Sequence, residues 1–216
     1  MTRHRLEAFS DGVIAILITI MVLELVVPNV HEVKGGDTLA ALWAEWHIFV
    51  SYVLSFAYLA IYWNNHHHML YVTERVTAGI LWANMFLLFW LSLVPFATAW
   101  MGENDFAATP TALYGVILLL CAAAYYNLQL AIIRSQGEES LLRDAVGKDL
   151  KGKVSLGLYA ISIPAAFVEP WISFALYMAV AAIWLIPDRR IERAMAAEEA
   201  QREARRTEPA RSRERA

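Results

Sequence analysis

Arg5, Phe9, Ser10 and Asp11 run without a break into Val13, Ile14 and a stretch of apolar residues long enough to cross a bilayer. A carboxylate at the centre of a membrane helix costs roughly 2.5 to 3.5 kcal/mol on insertion scales, so an acidic residue beside such a span marks a functional site by default. On its own segment Asp11 has Arg5 and Ser10 as available partners. A second polar constellation, Trp63, Asn64, Asn65, His66, His67 and His68, is expected to end the second apolar run at the same membrane depth. Consecutive histidines cannot all face one metal from a single helix, where ligands recur three or four residues apart, so no zinc site is expected. His66 or His67 is expected instead to hydrogen-bond in the Ser10 and Asp11 region, because an imidazole N–H can donate to a carboxylate. A solvated loop position is the expectation for the third histidine.

At 100° per residue Gly12, Ile16, Thr19, Leu23 and Val27 share one stripe of the first helix, with Ile20 at its edge. The residues alone leave two readings of this stripe. One is a lipid-facing or core surface, since every flank of the helix is apolar. The other is a pore, which requires several copies around an axis, isoleucine and leucine rings that gate by dewetting, and Thr19 hydroxyls as oxygen ligands for a partly dehydrated cation. Asn84, Ser92, Thr98 and Asn127 lie inside spans and are read as glue between helices, with no chemistry assigned. The chain lacks a filter loop, a row of arginines within a span, a phosphate-binding glycine loop and a serine-histidine-carboxylate set at one depth. No pair of broken helices recurs in two halves, which weakens a secondary transporter. Neither an enzyme nor a cofactor is expected, and no nucleic-acid partner.

The elements that must position these residues are membrane helices. Of the 216 residues, 58% are hydrophobic and 18% charged, against about 25% charged in a soluble domain. A hydrocarbon core about 30 Å thick needs roughly 20 apolar residues per helix, and six runs qualify: 8–27, 39–63, 76–100, 107–133, 154–168 and 171–186. The fifth is the shortest and holds Pro164, so five full spans and a partial one form the alternative. The first span is long, follows acidic Glu7 and Asp11 and lacks a small-residue cleavage site before Pro28, so it is expected to be retained rather than cleaved as a signal peptide. The single cysteine, Cys121, excludes an intrachain disulfide and is read as a packing residue.

The net charge of −3 hides a segregation. Arg3, Arg5, Arg75, Arg134, Arg143, Lys148, Lys151, Lys153 and the arginines from Arg189 onward fall on one side. The other side holds Lys34 against Glu32, Asp37, Glu103, Asp105 and Glu169. Both termini are therefore predicted to be cytoplasmic, which agrees with six crossings. Trp43, Trp46, Tyr71, Trp100, Trp171 and Trp184 sit near predicted span ends, as an interfacial belt would place them. Residues 1–187 form the membrane domain on this reading. Residues 188–216 form a charged cytosolic tail, helical at first and disordered after Pro209, whose arginines alternate with glutamates and could touch anionic lipid.

Arg5, Phe9, Ser10 and Asp11 at the opening of a first membrane helix resemble the signature of the transmembrane protein 175 family, bacterial relatives of the endosomal and lysosomal potassium channel. The likeness extends to six helices with cytosolic ends, the Trp-x-x-His-His element at 63–67 and the Pro95 and Phe96 pair late in the third helix. It covers the membrane region but not the tail. The resemblance implies a cation channel without a re-entrant filter, whose first helices line the central pore of a homotetramer built from single six-helix units. Carried over by position, the hydrophobic constriction falls on Ile16, Ile20 and Leu23, five, nine and twelve residues past Asp11. Thr19 matches the hydroxyl layer implicated in potassium preference. Ala15 stands where some relatives place serine, so one possible hydroxyl layer is missing.

The resulting expectation is an all-α, homotetrameric, potassium-preferring leak channel of a bacterial inner membrane, with potassium and other monovalent cations as permeant ions and membrane lipid as its surroundings. Arg5, Phe9, Ser10, Asp11, Trp63 and His66 or His67 would pin each first helix to its neighbours. The rivals are a proton-coupled carrier using Asp11 and the His66, His67 and His68 cluster, and a membrane scaffold that transports nothing.

Overall fold

Inside a bilayer every backbone N–H and C=O must be bonded within the chain, so apolar runs of this length fold as helices. The computed structural model describes residues 1–25, 39–137, 142–143 and 149–185 and contains no strand among them. Helix α1 is Arg3–Ile20, continued by a 3-10 turn at Met21–Glu24. Then follow α2 Leu39–Ala44, α3 Trp46–Tyr71, α4 Ala78–Ser92, α5 Val94–Glu103, α6 Ala108–Gln136, α7 Leu150–Ala165 and α8 Pro170–Leu185. Four stretches, Arg3–Glu24, Trp46–Tyr71, Ala78–Glu103 and Ala108–Gln136, are long and apolar enough to cross a membrane. The protein is a multi-pass membrane protein, and six membrane-directed helices are consistent with this arrangement. Helices α7 and α8 have 16 residues each in the described part. At about 1.5 Å per residue they rise about 24 Å, less than the thickness of a bilayer core.

Two expected spans are drawn differently. The second, expected over 39–63, breaks at Glu45 into a short α2 and a continuous α3 of 26 residues that carries Trp63 and all three histidines inside the helix. These polar residues stay helical because they find partners there. Asn65 Nδ2 returns to the Ile61 carbonyl at 2.8 Å, and His66 bonds across to another helix. The third span, expected over 76–100, divides at Leu93 into α4 and α5, with Pro95 in the first turn of α5. Proline has no N–H to continue the ladder and restricts the residue before it, so α4 stops just upstream. The charged tail from 188 onward, Val27 and the loop residues Glu32, Lys34, Asp37 and Lys148 lie outside the described residues.

Helix α6 sits at the centre, packed against α4, α5, α7 and α8, while α3 packs on α1, α5 and α8. Cys121 on α6 is fully buried, and so are Leu118, Ala124 and Leu128 on the same helix. Hydroxyl groups clip this core together. Thr98 on α5 donates to Ser55 Oγ on α3 at 2.7 Å, and Ser55 pairs with the Tyr114 hydroxyl on α6 at 2.8 Å. Where α5 crosses α3, a Cβ built on Gly102 would stand 3.0 Å from Ile48 Cα and 2.5 Å from Ser51 Oγ, so only glycine permits this approach. Trp46 and Trp171 stack at 5.9 Å near one end of the bundle. Helix α1 rests mainly on α3 and α4, at the edge of the bundle.

Candidate pore helix and its anchoring site

Leu6, Ser10, Ile14, Leu17 and Met21 are spaced three or four apart and form the buried face of α1. That spacing keeps them on one side of a 3.6-residue helix, and they pack against α3 and α4. The opposite face is bare. Gly12, Thr19 and Ile20 are exposed, Ile16 is 62% exposed and Leu23 76%. These are the residues of the predicted stripe, except Val27. Ala15 is also exposed. The Thr19 hydroxyl turns back along its own helix, 3.0 Å from the carbonyls of both Ala15 and Ile16. Its hydrogen therefore serves a backbone acceptor, a bond that does not use the lone pairs of the oxygen.

The buried face is fastened by a polar chain through three helices. Asn84 on α4 donates from Nδ2 to Ser10 Oγ at 3.0 Å and meets His66 Nε2 of α3 through Oδ1 at 2.7 Å. With Oδ1 as acceptor, the ring proton of His66 sits on Nε2. All three residues are buried, Ser10 and Asn84 completely. His66 Nδ1 and His67 Nδ1 have no hydrogen-bond partner among the described residues.

Asp11 points to a different place. Trp63 Nε1 donates to Asp11 Oδ1 at 3.0 Å on the exposed side, and the His67 ring lies 6.1 Å from Trp63 at an interplanar angle of 26°. Ser10 and Asp11 are thus adjacent in sequence but engage separate partners. His66 reaches Ser10 only through Asn84. His68 lies against His67, with ring centroids 6.0 Å apart. Arg5 and Phe9 are exposed, and neither makes a hydrogen bond or ion pair among the described residues. On α1 it is Arg3 that is bound. Its Nη1 donates to the Tyr71 carbonyl at 2.6 Å, its guanidinium lies 5.3 Å over the Tyr71 ring, and Glu7 is 3.9 Å away. Gln136 donates to the Val72 carbonyl at 2.7 Å, so α1 and α6 together cap the open carbonyls at the end of α3. No group of three or more histidine, cysteine or acidic residues is placed to hold a metal among the described residues.

Asn84 joins the site although the sequence reading gave it no chemistry. The signal was its position as an amide inside a span, which must find partners in the bundle. Nothing local says which ones.

Comparisons with known proteins bear on the whole arrangement. A family model described as "Endosomal/lysosomal potassium channel TMEM175" matches residues 5–95, which include every residue of the polar chain. The chain is 49% identical over 195 residues to a protein of Chryseobacterium sp. (strain P1-3) named as a potassium channel, covering 90% of this chain and 98% of that one. A potassium channel of Chamaesiphon minutus is 30% identical over 177 residues, 78% of this chain and 86% of its own. The fold is similar to the crystal structure of a lysosomal potassium-selective channel TMEM175 homolog from Chamaesiphon minutus, with a TM-score of 0.76 and 28% identity over 86% of this chain and 97% of that one. With this likeness along nearly its full length, the chain belongs to the TMEM175 family.

Proposed function

We propose that the protein is a potassium-preferring cation leak channel, conducting through an apolar neck that α1 forms with its counterparts in a homotetramer. The observation that carries the reading is the two-sided character of α1: one face is locked by Ser10, Asn84 and His66, and the other leaves Ile16, Thr19, Ile20 and Leu23 exposed among the described residues. The names of its relatives as potassium channels support the same reading. Four copies of Ile16, Ile20 and Leu23 around an axis would make rings that exclude water until the neck widens. Thr19 would place hydroxyl oxygens between these rings, in position to replace part of an ion's hydration shell. The channel would sit in a bacterial cell membrane with both termini cytoplasmic, as the lysine and arginine distribution suggests.

The test is Ile16→Asn in protein reconstituted into liposomes. A polar ring removes the dewetting barrier, so flux should rise and discrimination among monovalent cations should blur. An assembled variant with unchanged flux and ion preference would place the pore elsewhere. A reversal potential that follows the proton gradient in the unsubstituted protein would favour the carrier that uses Asp11 and the histidines. A protein that passes no ions at all would leave only the scaffold.

A further inference from the structure

A cleft opens between α3, α6, α7 and α8, away from the exposed face of α1. Three of these helices give it a full stripe each: 58, 61, 62 and 65 on α3; 122, 125, 126 and 129 on α6; 152, 155, 156 and 159 on α7. Its walls are largely aromatic, with Tyr58, Tyr62, Tyr125, Tyr159 and Trp184 among them. Tyr62 and Tyr125 meet edge to face at 6.1 Å, and Tyr125 meets Trp184 in the same way at 6.3 Å. Asp149, at the N-cap of α7, is the one charged side chain among the described residues of the lining. Gln129 is only 5% exposed and its amide makes no hydrogen bond among the described residues. Asn65, in the same wall, donates from its side-chain Nδ2 to the Ile61 carbonyl at 2.8 Å.

Among the described residues of this lining an anion finds no cationic side chain. A hard metal ion demands six or more oxygens at close range, which aromatic walls do not offer. A weakly hydrated organic cation suits all of the lining at once, since ring faces attract it through their quadrupole and the carboxylate supplies the opposite charge. We propose that this cleft binds an alkylated ammonium group, carried either on the headgroup of a choline lipid or on a free small molecule. Tyr58, Tyr62, Tyr125, Tyr159 and Trp184 form the cage, Asp149 neutralises the charge, and the Gln129 and Asn65 oxygens orient polar groups attached to it.

The experiment is a calorimetric titration of choline into the full chain, purified in a detergent without choline, beside its neutral carbon isostere 3,3-dimethylbutan-1-ol. Choline should bind saturably and at least about tenfold more tightly than the isostere, because only the cation gains from the rings and the carboxylate. Asp149→Asn should weaken choline binding by about tenfold or more. This change removes the charge while keeping an equally good N-cap for the Gly152 N–H, and asparagine tolerates the left-handed φ of 40° found here. Tyr62→Leu, which leaves the charge and removes a ring, should lose affinity as well. Absence of choline binding, equal binding of the isostere, or an Asp149→Asn protein that binds choline unchanged would each overturn the proposal. In nanodiscs, choline binding blocked by phosphatidylcholine but not by phosphatidylglycerol assigns the site to a lipid headgroup, and equal binding in both assigns it to a free ammonium compound. The readout is binding rather than flux, so it stands or falls separately from the channel reading.

Discussion

Asn84 connects two helices to a third with one amide, so its loss leaves two buried groups unpaired. Replacing it by alanine strands Ser10 Oγ and His66 Nε2 together. A buried polar atom without a partner costs about 1–3 kcal/mol, whereas a single hydrogen bond between membrane helices averages only about 0.6 kcal/mol. Asn84→Ala should therefore lower the thermal midpoint of the purified protein clearly more than Ser10→Ala, which leaves the pair of Asn84 and His66 in place. Equal midpoints would mean the chain is not cooperative. At Thr19, valine keeps the shape, and the carbonyls of Ala15 and Ile16 keep their helical donors. Thr19→Val should hardly change stability, yet potassium preference over sodium should fall in a bi-ionic reversal potential, because the hydroxyl oxygens are gone. An unmoved potential would remove Thr19 from the ion path. Ser10, Asp11, Trp63 and His66 were legible as a site because polar groups at a membrane edge are expensive. Asn84 was not, because its partners lie 74 and 18 residues away in the chain and no local pattern encodes them.

Among the elements, the contact of α3 with α5 depends on a missing side chain. A methyl group on Gly102 meets the backbone of Ile48 and the Ser51 hydroxyl, neither of which can swing away freely, since Ser51 is bonded to the Ile48 carbonyl at 2.9 Å. Gly102→Ala should cost about 1–3 kcal/mol by overpacking. Gly12→Ala is the contrast, because a Cβ there meets nothing within 4 Å among the described residues. Its effect on the subunit's own stability should be neutral to slightly favourable, since alanine suits a helix interior better. Thermal unfolding of the two variants side by side checks the ordering. Hydropathy located the apolar runs but misplaced the second, expected over 39–63 and observed as Trp46–Tyr71. Counting apolar residues stops a helix where polarity rises, yet α3 continues through its asparagines and histidines, with Asn65 bonded back to its own helix and His66 bonded across to Asn84. The split at Leu93 is the reverse case: Pro95 was visible, but a proline bend does not alter a hydropathy average.

At the scale of the molecule, α1 is an edge element, held on one side and bare on the other. Asp11 and Trp63 meet on the exposed border of that helix, where a neighbouring copy would pack in the proposed tetramer. Asp11→Ala leaves the indole N–H without its acceptor, so the fraction of tetramer in size-exclusion chromatography with light scattering should fall more than ion preference changes. A variant that stays tetrameric and loses all flux would make Asp11 a direct ion or proton ligand. The self-satisfied Thr19 hydroxyl has a consequence for biogenesis. A newly inserted chain can lay the described part of its α1 stripe, Gly12 to Leu23, against acyl chains without exposing an orphan donor, so it has no polar emergency that forces it to find others. Assembly of the proposed tetramer would then be a competition between lipid and protein for one apolar surface, decided by closeness of fit and by how many subunits share the same patch of bilayer. Sparse expression would leave intact, folded and silent monomers.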